Sequence, residues 1–133
     1  AEVNVRFEIQ QLDPTKRYNL TFFGSHKFST DNATVYSVFT DNTYSTLVDS
    51  VSLNVQTPGA PNLHNRDQVA VLSNLAPQTS NILYVQFTGE LGGIGYLNAL
   101  QIETVPEPAS AFLLGTGGVL ILGLCRQNAR RAG

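Results

Sequence analysis

Residues 3–23 read VNVRFEIQQLDPTKRYNLTFF. Val3, Val5, Phe7 and Ile9 alternate with Asn4, Arg6 and Glu8. A strict period of two is the mark of a half-buried β-strand. Leu12-Asp13-Pro14-Thr15-Lys16 then reads as a turn, with the proline presetting φ. Tyr18, Leu20 and Phe22 alternate with Asn19 and Thr21 as a second strand.

The same pattern extends outward. Strands are predicted near residues 33–39, 47–56, 67–73, 81–88 and 94–104. Turn clusters separate them: Ser29-Thr30-Asp31-Asn32, Asp41-Asn42, Pro58-Gly59-Ala60-Pro61, Ala76-Pro77-Gln78 and the glycine-rich residues 89–93. Short strands at this spacing predict an all-β domain, a sandwich or barrel of antiparallel strands, over residues 1–104. No helical periodicity occurs before residue 109. The period-two pattern predicts a core containing Phe7, Ile9, Leu20, Phe22, Val69, Val71, Val85, Phe87, Leu100 and Ile102.

Residues 105–131 differ in kind. Val105, Pro106, Glu107 and Pro108 precede 17 uncharged residues, 109–125. This stretch holds Ala109, Phe112, Leu113, Leu114, Val119, Leu120, Ile121, Leu122, Leu124 and Cys125. As a helix it would reach about 26 Å. A bilayer core is about 30 Å thick and spanning stretches start near 17 residues. Flanking side chains that snorkel, or local thinning, cover the difference. Gly115, Gly117, Gly118 and Gly123 would weaken a soluble helix but are better tolerated in lipid, where an unpaired backbone group costs several kcal/mol. Arg126, Arg130 and Arg131 follow, in residues 126–131. The positive-inside rule puts them in the cytoplasm and the β-domain outside. One C-terminal transmembrane helix is therefore expected.

Charge agrees with that division. The chain of 133 residues carries a formal net charge of −2. Five basic and nine acidic residues lie in residues 1–105, while the tail adds Glu107 and three arginines. An acidic domain argues against a nucleic-acid partner, which needs a basic face. Cys125 is the only cysteine, so no disulfide can form within the chain.

Val105-Pro106-Glu107-Pro108, an apolar span and a short basic end, in that order, resemble the PEP-CTERM sorting signal of Gram-negative bacteria. The resemblance covers residues 105–131. It implies processing by an exosortase, a membrane-embedded cysteine transpeptidase, as partner. It also implies an exported protein, held transiently in the inner membrane and then sent to the cell surface or the exopolysaccharide matrix. Such a protein needs an N-terminal export signal, so the expectation is that one was removed before Ala1 or that the chain is cut from a longer protein.

A second resemblance rests on "FEIQQLDPTKRYNLTFFGS", a Thr-Val-Tyr strand, "VAVLSNLAPQTSNILYVQF" and a closing "GYLNALQIE". Together they are similar to the final strands of a galactose-binding-like jelly roll. That family has Phe-Phe-Gly-Ser-Arg where this chain has Phe22-Phe23-Gly24-Ser25-His26. It also has strands upstream of the position of Ala1, which implies an incomplete sandwich with one sheet edge open.

Candidate chemistry is sparse. Ser25, His26 and Asp31 invite a catalytic triad, but a nucleophile elbow needs G-x-S-x-G between strand and helix. Here a polar loop follows, and adjacent Ser and His point apart on extended chain. His64 also lies in a loop, residues 62–67. Thr30-Asp31-Asn32 and Thr40-Asp41-Asn42 repeat at ten residues and could suggest calcium, which takes six to eight oxygens. Seven strand residues between them span about 23 Å, so Asx turns at the two ends of one strand are the simpler reading. No catalytic, cofactor or metal residues are assigned. Sugar binding rests on exposed aromatic faces. Tyr36 and Tyr96 are expected in strands, which leaves Tyr44, beside a turn, as the sugar-contact candidate. The expected function is a non-enzymatic structural or adhesive protein of the surface or matrix. The alternative is a carbohydrate-binding module of a larger exported protein or enzyme, with polysaccharide as partner.

Overall fold

The structure is a computed structural model and describes residues 3–27, 32–56 and 63–106. Seven strands are present among them: β1 Val5–Ile9, β2 Tyr18–Phe23, β3 Ala33–Phe39, β4 Leu47–Asn54, β5 Ala70–Leu75, β6 Leu83–Gly89 and β7 Ala99–Thr104. A single 3₁₀ turn, Thr79–Asn81, lies before β6. The strands form two antiparallel sheets, in the orders β1-β6-β3-β4 and β5-β2-β7.

Register decides which face is inside. In the larger sheet Phe7 pairs with Val85, Phe87 with Tyr36, Val85 with Val38 and Tyr36 with Val51. Directly opposed residues share a face, so these side chains form one apolar layer. In the smaller sheet Leu20 pairs with Leu72 and Ile102, and Phe22 with Ala70 and Leu100. The two layers meet: Tyr18, Leu20, Phe22, Tyr36, Val38, Leu53, Leu72, Leu75, Leu83 and Val85 form one buried cluster. The Phe22 and Tyr36 rings stack across it, centroids 4.4 Å apart and 10° from parallel. The architecture is thus all-β, with two sheets packed face to face.

The predicted core needs three corrections. Leu20, Phe22 and Val85 are buried, and Phe7, Ile9, Phe87 and Leu100 are half-buried against them. Val69, Val71 and Ile102 are exposed. Residues 69–72 are apolar on both faces, so alternation cannot fix their phase. The pairing does: Ala70 and Leu72 oppose Phe22 and Leu20, which turns Val71 outward beside Thr21. A small side chain thereby faces the Phe22 ring. Strand β5 also starts later than predicted and ends in a bulge. Asn74 takes a left-handed φ of 58°, which brings Leu75 back inward opposite Tyr18. The Asn74 amide donates to Asn19 Oδ1 at 2.9 Å. Ile102 faces inward by register but lies on an edge strand of its sheet and stays 43% exposed.

Tyr96 is not in a strand. It sits half-buried in the connection from β6 to β7, and that connection is tied down at both of its polar backbone atoms. The Tyr96 amide donates to Thr34 Oγ1 at 3.0 Å, and its carbonyl accepts the Tyr36 hydroxyl at 2.6 Å. Burial pushes the Tyr36 hydroxyl up to about 12, so it remains a donor throughout the range of protein stability. Gly24 passes beside this bond. A Cβ there would run into the Tyr36 hydroxyl and the Tyr96 carbonyl, and one at Gly95 would lie 2.7 Å from the Thr88 carbonyl carbon.

The span at 109–125 lies outside the described residues. Among the described residues no helix is long and apolar enough to cross a membrane.

Gly24→Ala should cost about 1–3 kcal/mol through overpacking. Tyr36→Phe should cost about 1–3 kcal/mol by leaving the Tyr96 carbonyl without its donor. Because both act on one contact, urea unfolding of the double variant should show a smaller loss than the two losses added. Strict additivity would contradict the shared contact.

Candidate functional site

The sites suggested by sequence fall in different places. Ser25 Oγ donates to the Asn65 carbonyl at 2.7 Å. The His26 ring stacks on Tyr96, centroids 4.1 Å apart. Each side chain has its own packing role, and the described structure does not join them into a nucleophile–base pair. Asp31 lies outside the described residues. His64 is exposed and forms an isolated bridge with Gln56.

The loop around His64 is less solvated than its composition suggests. Asn65 is only 3% exposed. Its Nδ2 donates to the Gly24 carbonyl at 3.0 Å and the Gln68 carbonyl at 2.8 Å, and its Oδ1 accepts the Gln68 amide at 2.9 Å. Its own amide donates to the Val55 carbonyl at 2.9 Å. A buried amide is stable only when its donors and acceptors are met, and here both ends are. Gln68 lies only three residues on, but the Gly24 carbonyl that completes the set is 41 residues away, and loop composition gives no sign of it.

Asp41 forms the expected Asx turn at the end of β3. Its Oδ1 accepts the Thr43 amide at 2.9 Å and the Thr43 hydroxyl at 2.6 Å. Asp13 repeats the arrangement with Thr15, at 2.9 and 2.7 Å. In both, the hydroxyl bond and then the amide bond hold the carboxyl below its ordinary value of 3.8. In both turns these bonds go to Oδ1 of the carboxylate. Among the described residues no group of three or more His, Cys, Asp or Glu is placed to hold a metal ion.

Tyr44 follows Asp41 with a left-handed φ of 55°. That conformation folds its ring over the outer face of the larger sheet. There it meets Phe39 and Tyr84 edge to face, at 5.5 and 6.2 Å. The Arg6 guanidinium lies over the ring, 4.5 Å from its centre, held by a 2.8 Å bond from Nε to Gln86 Oε1. A sugar stacks on a bare aromatic face, and this face carries a cation. Tyr44 is therefore half-buried rather than an open platform. What this surface offers a polar ligand is the set Arg6, Glu8 and Gln86 around the ring.

A cleft of about 480 Å³ opens between β4 and the approach to β5. Ser52, Leu53 and Asn54 line one side, and residues 65–69 the other. Its size suits a small polar ligand such as a sugar residue or two. Arg66 and Asp67 supply its charge.

Of the sorting motif, Val105 and Pro106 are described. The Val105 amide makes a last ladder bond to the Arg17 carbonyl at 2.9 Å, just past the end of β7, and Pro106 is exposed. Glu107, Pro108, the span residues from Ala109 to Cys125, and Arg126, Arg130 and Arg131 lie outside the described residues. No family model matches the chain, and no curated protein and no solved structure matches it.

The two Asx turns carry a pH prediction. A carboxyl held low in the folded state stabilises above its unfolded value, 3.8, and that contribution is lost as pH falls through the lower folded value. Thr43→Val should move the Asp41 carboxyl up toward 3.8 and leave Asp13 where it is, as read by carboxyl-carbon NMR titration. An unmoved Asp41 would contradict the hydroxyl as the cause.

Proposed function

We propose that the chain is an exported structural or adhesive protein, delivered to the cell surface or exopolysaccharide matrix by an exosortase that acts on residues 105–131. The carrying observation is the order of parts: Val105-Pro106-Glu107-Pro108, an uncharged run at 109–125, then Arg126, Arg130 and Arg131. In this reading the apolar run spans the inner membrane for a time, and the arginines resist passage to the outside. Pro106 and Pro108 can continue neither a helix nor a central strand. The stretch between domain and span is therefore kept extended, as a protease cleft requires. Its emergence as an exposed Pro106 directly after the last ladder bond of β7 supports access from outside.

The β-domain is the cargo in this account. We read its two sheets as part of a galactose-binding-like jelly roll, without catalysis. The second reading is a carbohydrate-binding module, favoured by the cleft beside Arg66 and Asp67 and by the polar ring of Arg6, Glu8 and Gln86 around Tyr44. Saturable binding to one defined polysaccharide on a glycan array would select it over a purely structural role.

Replacing Pro106, Glu107 and Pro108 together by alanine lets a helix run on through the motif. In a cell with the matching exosortase, the parent should be cut near the motif and released. The triple variant should stay full-length in the membrane fraction, as mass spectrometry of both fractions would show. Equal release of the two proteins would remove the motif as the recognition element.

A further inference from the structure

The outer face of the larger sheet carries a polar row that the packing of the fold does not use. Register runs it across four strands. Arg6 on β1 opposes Gln86 on β6, Gln86 opposes Ser37 on β3, and Ser37 opposes Ser50 on β4. Opposed residues share a face, and this face is outward, because Tyr36 and Val38 on either side of Ser37 are buried in the core. With strands about 4.8 Å apart, the row is about 14 Å long. The neighbouring row stands higher. There Tyr84 pairs with Phe39, and the Tyr44 ring rests on both. The polar row is thus a shelf at the foot of an aromatic step.

The groups on the shelf are held in place but not used up. Arg6 is fixed twice, by its Nε bond to Gln86 Oε1 at 2.8 Å and by its position 4.5 Å over the Tyr44 ring. Its two terminal nitrogens and Gln86 Nε2 have no partner among the described residues. Ser37 carries the stronger sign. It is only 8% exposed, and its hydroxyl also has no partner among the described residues. A buried hydroxyl left alone costs stability, and native structures pair nearly all of them. Ser37 sits in the middle of the shelf, where a ligand hydroxyl would supply the missing bond.

Charge narrows the ligand. Arg6 is balanced by Glu8, two residues on along the same face of β1. Burial first, and then Glu8 and Asp41, push the Tyr84 hydroxyl up, which places both carboxylates beside this face. An anionic chain would be repelled by them. A guanidinium, an amide, a carboxylate and hydroxyls in one line instead match a chain of uncharged hydroxyls, each of which both donates and accepts. We propose that this shelf binds an uncharged oligosaccharide lying across the strands, with Arg6 and Gln86 donating to its hydroxyls, Glu8 accepting from one, and Ser37 bonded at the middle. The sugar lies against the aromatic step and does not stack on Tyr44, whose ring Arg6 already covers. The inference rests on the carbohydrate-binding reading, and it chooses this face over the cleft beside Arg66 and Asp67.

NMR titration of the full chain in zwitterionic micelles tests it, with cellohexaose, mannohexaose and the hexamer of galacturonic acid as probes. A neutral hexamer should shift Arg6 Nε, Gln86 Nε2 and the amides of Ser37 and Ser50, with an affinity that salt does not change. Ser37→Ala should weaken binding about 3- to 10-fold, the loss of one hydrogen bond. It should leave the urea midpoint unchanged or raised, because it removes an unpaired hydroxyl. Arg6→Lys keeps the charge but loses the planar fork, and should weaken binding at least as much. A lowered midpoint for Ser37→Ala would show that the hydroxyl is already bonded and would overturn the proposal. Shifts confined to Arg66 and Asp67 would overturn this site while leaving the carbohydrate reading standing. No shift with any probe would overturn both. Tighter, salt-sensitive binding of the galacturonic acid hexamer would overturn the uncharged class.

Discussion

The Tyr36 side chain joins parts of the molecule that no backbone ladder connects. Its ring stacks on Phe22, linking the larger sheet to the smaller at the centre of the core. Its hydroxyl reaches past Gly24 to the Tyr96 carbonyl and fastens the connection between β6 and β7. Sheets packed face to face are held by non-directional apolar burial, which alone allows them to slide. A directional bond at the end of a stacked ring sets one alignment. Thr34, two residues earlier on the same strand, takes the Tyr96 amide, so one strand supplies both contacts. The absence of a side chain at Gly24 is a requirement of this arrangement, because the hydroxyl and the carbonyl already occupy the space a Cβ would need.

Much of this fold was legible before any coordinates. Strands β1 and β2 alternate strictly, so their inward faces follow from pattern, although β1 begins at Val5 rather than at Val3. The legibility ends where alternation does. Residues 69–72 are apolar throughout, and only pairing with Leu20 and Phe22 shows that Ala70 and Leu72 turn inward while Val71 does not. Ile102 has the correct inward phase and is still exposed, because it lies on an edge strand. Tyr96 and Asn65 were opaque for another reason. Tyr96 is held by atoms of Thr34 and Tyr36, and Asn65 adds the distant Gly24 carbonyl to its local bonds with Gln68; loop composition carries no trace of such distant partners. The outer-face candidate Tyr44 could be placed beside its turn, but not beneath Arg6, which comes from a strand nearly forty residues earlier.

Domain and tail divide the proposed work. Pattern in the first 104 residues describes a small acidic β-domain, whereas the last stretch carries the proposed sorting signal. The ladder between β2 and β7 ends at Val105, and the prolines follow in the sequence. Among the described residues β1 and β7 are edge strands of their sheets. Free sheet edges with apolar inner faces invite pairing with other chains.

The alignment of the sheets through Tyr36 is tested most directly by native-state hydrogen exchange at the Tyr96 amide. That amide lies in a loop, yet it is bonded to Thr34 beside the Tyr36 contact. Loop amides ordinarily exchange through local opening, whereas core strands open only with the whole molecule. The account predicts that Tyr96 exchanges with β3, at the free energy of global unfolding and with the same denaturant dependence. Exchange of Tyr96 at the rate of an exposed loop, while the β3 amides stay protected, would contradict it.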